Sequence, residues 1–392
     1  MVYRIGVVIV WLYVLLPSWS VLYAQEITWD RAFQLIEHSI EKTMVEGQIP
    51  SMTIAIVQDD EVVWSNGYGY ANLWSRTPAV PSTVYLIGST FKAMSTVALL
   101  RQMEAGKFEL DDPVSDYLEF LRIRNEDRKE PITFRHLLTH TSGLPVDFAP
   151  LSVWDDDAPP GMTAYLSSSL RTESPPLEGV VYSNMAYTLV GYLVQDFSGK
   201  LFREYMHKQL FEPLEMSSTA FAPSPQMSER LAIPYIVDPN SETLVPTELL
   251  RSRVWPAGLV YGTVLDQANW LIANLNDGVF KGRQIISAES LEEMHSRQFD
   301  QFKGKISGLW GSDEAGYGLT WWTDTRNGEK YFAHSGSVPG YTAFLQGNKD
   351  RKLGVAMLTN GNQAHKHLIS LTDEIMDLMS RLAPPEAVLS GN

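Results

Sequence analysis

Cysteine is absent from the 392-residue chain, which excludes disulfides, thiolate metal centres, a cysteine nucleophile and a lipidated N-terminal cysteine. Positive charge is scarce: 31 Lys and Arg face 46 Asp and Glu, a formal net charge of −15. A nucleic-acid binder would need a basic face to neutralise phosphates, so nucleic acid is not an expected partner. The chain has no internal repeat, no low-complexity stretch, and no apolar run of the ~20 residues that a membrane span needs. Gly-x-Ser-x-Gly, Walker and His-Glu-x-x-His patterns are missing as well. What is present is 44% hydrophobic and 20% charged residues, a globular composition long enough for one large domain or two average ones.

At the N-terminus Arg4 precedes an apolar run from Ile5 to Leu16, and Pro17, Ser18 and Ser20 lead to Ala24. This is the pattern of a secretory leader with a small residue at the cut. The expectation is a signal peptide over residues 1–24, a periplasmic or secreted protein, and no stable membrane span once the leader is removed. An uncleaved leader serving as a membrane anchor is the alternative. Cleavage would remove one Arg and no acid, taking the net charge from −15 to −16.

Residues Trp29–Glu46 carry Phe33, Ile36, Ile40 and Met44 at three- and four-residue steps, which predicts an amphipathic helix. Met52–Val57 and Val62–Tyr68 read as a hairpin turning at Gln58-Asp59-Asp60. Thr90–Ala105 is apolar almost all round and ends at Gly106, so a buried helix is expected there. The middle of the chain, about 107–300, shows helices without clear strands. Thr133 opens His136–Thr139, Met185–Phe197 stops near Gly199, and Thr263 with Asp266 caps Thr263–Leu275. A loop from Pro145 to Gly179 carries Asp155-Asp156-Asp157, read as a solvated turn. Strands return at Tyr317–Thr323, Lys330–His334, Thr342–Gln346 and Leu353–Leu358. A final helix, Gln363–Arg381, has Leu368, Leu371, Ile375 and Leu378 as its inner stripe. The fold class is therefore α+β: one antiparallel sheet drawn from both chain ends, terminal helices packed on it, and an inserted helical lobe. The sheet lobe covers about 25–88 and 305–385, and the helical lobe about 89–304. A cleft between them is the natural place for a site.

His136 and His140 have the four-residue spacing of two helical zinc ligands, but no acid lies between them and no third ligand suggests itself, so no metal is assigned. Ser-x-x-Lys occurs twice, at Ser39/Lys42 and Ser89/Lys92. Ser39 falls inside the first amphipathic helix. Ser89 follows Gly88 at the start of the buried helix, where free N–H groups favour negative charge, and Lys92 lies one turn on along the same face. A plain N-cap is the other reading of Ser89. A lysine can deprotonate a serine only if burial or a nearby cation lowers its pKa far below about 10.4. Tyr-x-Asn also occurs twice, at Tyr70/Asn72 and Tyr182/Asn184, and the second comes from the lobe opposite the sheet. On the strand side Lys330–His334 runs into Ser335-Gly336-Ser337. There His334 and Gly336 share one face, and the glycine permits close backbone approach.

In this order, Ser89-Thr-Phe-Lys92, Tyr182-Ser-Asn184 and His334-Ser-Gly336 resemble the three motifs of the serine β-lactamase and penicillin-binding-protein superfamily, in particular its class C β-lactamase-related hydrolases. Leu110–Tyr117, Thr133–Leu144 and Ala257–Val260 resemble the same family. The resemblance implies a β-lactamase-like fold over most of 28–380 and a serine hydrolase that works through an acyl-enzyme without metal or cofactor. It implies that Ser89 attacks the carbonyl, that Lys92 takes or shares its proton, and that Tyr182 serves as general base and acid. Asn184 would hold the substrate amide or orient Lys92, a helix cap being its other reading. The N–H groups of Ser89 and Ser337 would form the oxyanion hole. His334, with Gly336 and Ser337, stands where the lactamases usually have Lys-Thr-Gly. An imidazole is largely neutral at neutral pH, so preference should move from penicillin-like carboxylates towards neutral esters or short peptides. A buried structural histidine is the alternative there. Esterase or D-peptidase activity is expected, with β-lactamase, D-Ala-D-Ala carboxypeptidase and a non-catalytic scaffold as alternatives. The natural substrate and the oligomeric state are not readable.

Overall fold

The computed structural model describes residues 28–118, 130–146, 166, 170–250, 255–302 and 314–382. The expected leader and the Asp155–Asp157 turn lie outside them. Helix α1 (Trp29–Glu46) starts at Thr28, whose hydroxyl accepts the Arg31 N–H. The hairpin of β1 (Ser51–Gln58) and β2 (Glu61–Asn72) follows, turning at Asp59 in the left-handed region, φ 58°. The short β3 (Thr77–Pro78) lies beyond β2.

Helices α2 (Lys92–Glu104), α3 (Phe134–Leu138), α4 (Asn184–Ser198) and α5 (Val264–Leu275) occupy the middle of the chain. The C-terminal part supplies β4 (Gly316–Tyr317), β5 (Trp322–Arg326), β6 (Glu329–Val338), β7 (Tyr341–Asn348), β8 (Leu353–Thr359) and α6 (His365–Ser380). Eight strands form one antiparallel sheet in the order β4-β5-β6-β7-β8-β1-β2-β3, so the two chain ends meet where β8 pairs with β1. Among the described residues no helix is long and apolar enough to cross a membrane.

The two central strands are apolar on both faces because both faces are covered. Along β1, Met52, Ile54 and Ile56 join α1 and α6 in one core, while Ala55 and Val57 face the second core with α2, α4 and α5; β8 alternates in the same way. Ile36 and Ile40 of α1 are buried against Leu368, Leu371 and Ile375 of α6, each worth about 2 kcal/mol in apolar burial. Leu378 is only half-buried, and Met376 and Met379 complete the stripe instead.

Three local readings change. The middle segment contains small β-ribbons at 235–237/244–246 and 279–280/283–284, and Tyr261–Gly262 pairs with Tyr85–Leu86; strands of two or three residues leave no periodic pattern. Residues 317–323 do not run as one strand. The Gly318 N–H donates to the Trp321 carbonyl at 2.8 Å and Thr320 takes φ 79°, which folds the chain back as β4 and β5. Thr320 is β-branched in a conformation that such residues avoid. It is held there by its N–H to the Leu138 carbonyl at 3.0 Å and by hydroxyl contacts with Thr96 and Tyr187. Finally, α2 begins at Lys92, and Ser89 sits in a 3-10 turn, Gly88–Phe91, that leads into it.

Candidate active site

The turn carrying Ser89 is fixed by the ribbon before it. Tyr85–Leu86 pairs with Tyr261–Gly262, the Ile87 N–H donates to the Val260 carbonyl at 3.0 Å, and the Thr90 hydroxyl closes back on the Ile87 carbonyl at 2.8 Å. Gly88 has φ 57° and Gly258 φ 149°, both in backbone regions that favour glycine. A Cβ on Gly88 would lie 2.9 Å from the Ser337 nitrogen, one on Gly258 2.9 Å from the Ser89 nitrogen, and one on Gly336 2.2 Å from the Ile87 oxygen. Three backbone segments therefore close on Ser89, and the amides of Ser89 and Ser337 flank the same contact.

Lys92 is fully buried. Its Nζ lies 3.0 Å from Ser89 Oγ, 2.6 Å from Asn184 Oδ1 and 2.6 Å from the Ala257 carbonyl. Ser95, one turn along α2, donates to the Pro256 carbonyl at 2.8 Å, so one face of the helix is tied to 256–257. The amide oxygen and the carbonyl only accept and claim two N–H bonds of the amine. The third position on nitrogen points at Ser89 as N–H when Lys92 is charged, and as a lone pair when it is neutral. The arrangement can thus pass a proton between Ser89 and Lys92 without moving a heavy atom.

Tyr182 and Asn184 come from the start of α4. Ser183, not Asn184, is the helix N-cap, its hydroxyl accepting the Ala186 N–H at 3.0 Å; this leaves the Asn184 side chain to Lys92. The Tyr182 ring centroid is 4.7 Å from Lys92 Nζ. His140 packs on the same ring at 4.2 Å between centroids. It is buried, which drives its pKa well below the ordinary histidine value, with the Lys92 charge adding to the effect. His136, by contrast, accepts the Thr133 N–H in a capping box of α3.

His334 is fully buried on β6, its ring 4.8 Å from that of Trp322. Its Nδ1 is 2.6 Å from the Ser335 carbonyl, so Nδ1 carries the ring proton. Burial first, and the Lys92 charge second, hold its pKa at about 3; the ring is neutral. Beyond Ala333, β6 overhangs β5, and Ser337 is exposed there.

The structure thus brings Ser89, Lys92, Tyr182 and Asn184 into contact distance, with Gly336 and the Ser337 amide at the Ser89 turn and His334 behind. It adds two groups that sequence reasoning missed. The Ala257 carbonyl is backbone, which leaves no residue signature. His140 lies within the Thr133–Leu144 stretch, but its partner segment is some 40 residues away. Among the described residues no group of three or more His, Asp or Glu could hold a metal ion. A hollow of about 290 Å³ lies elsewhere, lined by Glu292, Asp324, Lys330 and Lys349 among others, and shares no residue with this cluster.

An antiparallel sheet with helices on both faces, and a buried Ser-x-x-Lys pair facing a Tyr-x-Asn turn, define the serine β-lactamase and penicillin-binding-protein class. The Beta-lactamase family model matches residues 36–379, and the chain belongs to that family. It is 26% identical over 341 residues to Protein flp of Staphylococcus aureus strain N315, covering 85% of this chain and 63% of that protein. To Beta-lactamase-like protein 2 of Dictyostelium discoideum it is 27% identical over 314 residues, covering 74% and 56%. The chain therefore spans less than two thirds of these relatives' length. The octameric penicillin-binding protein homologue from Pyrococcus abyssi superposes with a TM-score of 0.74 at 28% identity, covering 88% of this chain and 77% of that one. The D-amino acid amidase from Ochrobactrum anthropi SV3 gives 0.72 at 20% identity over 89% and 98%, a likeness of fold.

Proposed function

We propose that this chain is a serine hydrolase that cleaves neutral ester or amide bonds through an acyl-enzyme on Ser89. The observation that carries the reading is the 3.0 Å contact from Lys92 Nζ to Ser89 Oγ, with the lysine fully buried. In the reactive form Lys92 has released to solvent the proton whose charge depresses His140 and His334, and Ser89 Oγ adds to the substrate carbonyl as its own proton passes to that amine. The amides of Ser89 and Ser337 take the oxyanion, each donor worth about 3 kcal/mol in the transition state. Tyr182 relays that proton from Lys92 to the leaving alkoxide or amine; in the second half it relays a proton from the attacking water to Lys92, which returns it to Ser89 Oγ as the acyl bond breaks and the acid leaves. Asn184 holds Lys92 in place.

The neutral His334 favours esters or amides, including D-residue or short peptide substrates, over penicillin-like carboxylates. The fold shared with a D-amino acid amidase is compatible with the amide branch. The leader pattern of residues 1–24 supports a periplasmic or secreted reaction, with a membrane-anchored one as the alternative.

The test is intact-mass analysis after a fluorophosphonate probe. A single adduct that is lost in Ser89→Ala supports the reading, and a folded but unlabelled parent sinks it. Kinetics on p-nitrophenyl esters, D-amino-acid amides and benzylpenicillin then assign the substrate class, with benzylpenicillin expected to be the poorest of the three.

A further inference from the structure

Tyr182 is bracketed by two hydrogen bonds that end on one residue. The Val181 N–H donates to the His140 carbonyl at 2.8 Å, and the Ser183 N–H donates to His140 Nδ1 at 3.1 Å. Between them the imidazole lies 4.2 Å from the phenol ring. His140 has little freedom of its own. It is 1% exposed, its backbone sits at φ 59°, and the rings of Tyr187 and Tyr317 lie 5.2 and 5.5 Å away. Tyr187 is anchored in turn by its hydroxyl to the Leu138 carbonyl at 3.1 Å.

We propose that His140 is the positioning residue for Tyr182, fixing the main chain on both sides of it through its carbonyl and its Nδ1. This rests on the reading of Tyr182 as the proton relay. Because a backbone N–H only donates, Nδ1 accepts and the ring proton sits on Nε2. An imidazolium would set a second N–H against that of Ser183, so the clamp closes only with a neutral ring. The groups facing it are Lys92, His334, Tyr182, Tyr187 and Tyr317. The next contacts along the segment do not use His140: the Ser183 hydroxyl donates to the Pro145 carbonyl at 2.6 Å and the Asn184 N–H to the Val146 carbonyl at 2.8 Å. Loss of the clamp therefore frees Tyr182 while leaving Asn184 on Lys92, and the effect falls on kcat rather than on KM.

Two variants separate the contacts. His140→Phe keeps a ring and loses the acceptor. His140→Asn loses the ring, puts an acceptor at the Nδ1 position and tolerates a left-handed backbone. The expected result is a kcat lower by about 10²-fold in His140→Phe with KM within about twofold, and recovery to within about threefold in His140→Asn. Parental kcat in His140→Phe, or equal impairment of both variants, overturns the inference. If His140→Phe does not fold, His140→Leu replaces it as the variant without an acceptor. Fluorophosphonate labelling of the parent is run alongside. An unlabelled parent defeats the hydrolase reading itself, whereas a labelled parent with a fully active His140→Phe defeats only the role of His140.

Discussion

The chain writes Ser-x-x-Lys twice, and the two copies share little but spacing. On α1, Ser39 donates to Glu374 at 2.5 Å, and Lys42, 67% exposed, sits 4.0 Å from Glu46. At the other copy Lys92 is fully buried among a hydroxyl, an amide and a carbonyl. An offset of three on a helix guarantees proximity. It does not by itself make a base: burial, which opposes the charged form of an amine, is present at only one of the two copies.

The comparison breaks most sharply at the motif residues. Ser89→Ala and Lys92→Met should each lower kcat/KM by at least about 10³-fold, while Ser39→Ala and Lys42→Met stay within about twofold; steady-state kinetics on a p-nitrophenyl ester checks all four. Next comes the backbone around Ser89. Gly336→Ala, whose methyl would meet the Ile87 oxygen at 2.2 Å, should cost about 1–3 kcal/mol of stability and much of the activity. Gly179→Ala, with open space around it, should do neither, and thermal melts beside turnover separate them.

The third contrast is with pH. His334 binds a proton in the folded state only near pH 3, against about 6.5 unfolded. Its contribution to stability is complete above pH 6.5 and is lost as pH falls, at about 1.4 kcal/mol per unit, or about 2 kcal/mol by pH 5. Buried His140 and His295 act in the same direction. Urea titrations at pH 7 and pH 5 should show a shallower loss in His334→Asn than in the parent. The smallest effect is expected at the exposed pair: Lys42→Ala should change unfolding free energy by less than about 0.5 kcal/mol.

Sequence periodicity carried the sheet, because β1 and β8 alternate between two covered faces, and it carried the terminal helices through their stripes. The Ser89, Lys92, Tyr182 and Asn184 set was legible because three short motifs stand in a recognisable order. What stayed hidden depends on conformation rather than residue type. The turn at Thr320 needs a left-handed φ that threonine rarely takes. The Ala257 carbonyl has no side-chain signature. His140 acquires its contact with Tyr182 only when two distant loops align, and in the sequence it reads as a structural histidine.

The meeting of the two chain ends at β8 and β1 also sets a timetable. Ser51 and Asn360, 309 positions apart, share a hydrogen bond at this junction. As the chain leaves the ribosome, β1 and β2 are made early and then wait, with the edge of β1 open, until β8 follows about 300 residues later. Ser89, Lys92 and Tyr182 are likewise made long before β6 arrives to close their third wall. The cluster around Ser89 is therefore incomplete until late in synthesis, and the open edge of β1 is where nascent chains would aggregate or where a chaperone would be needed.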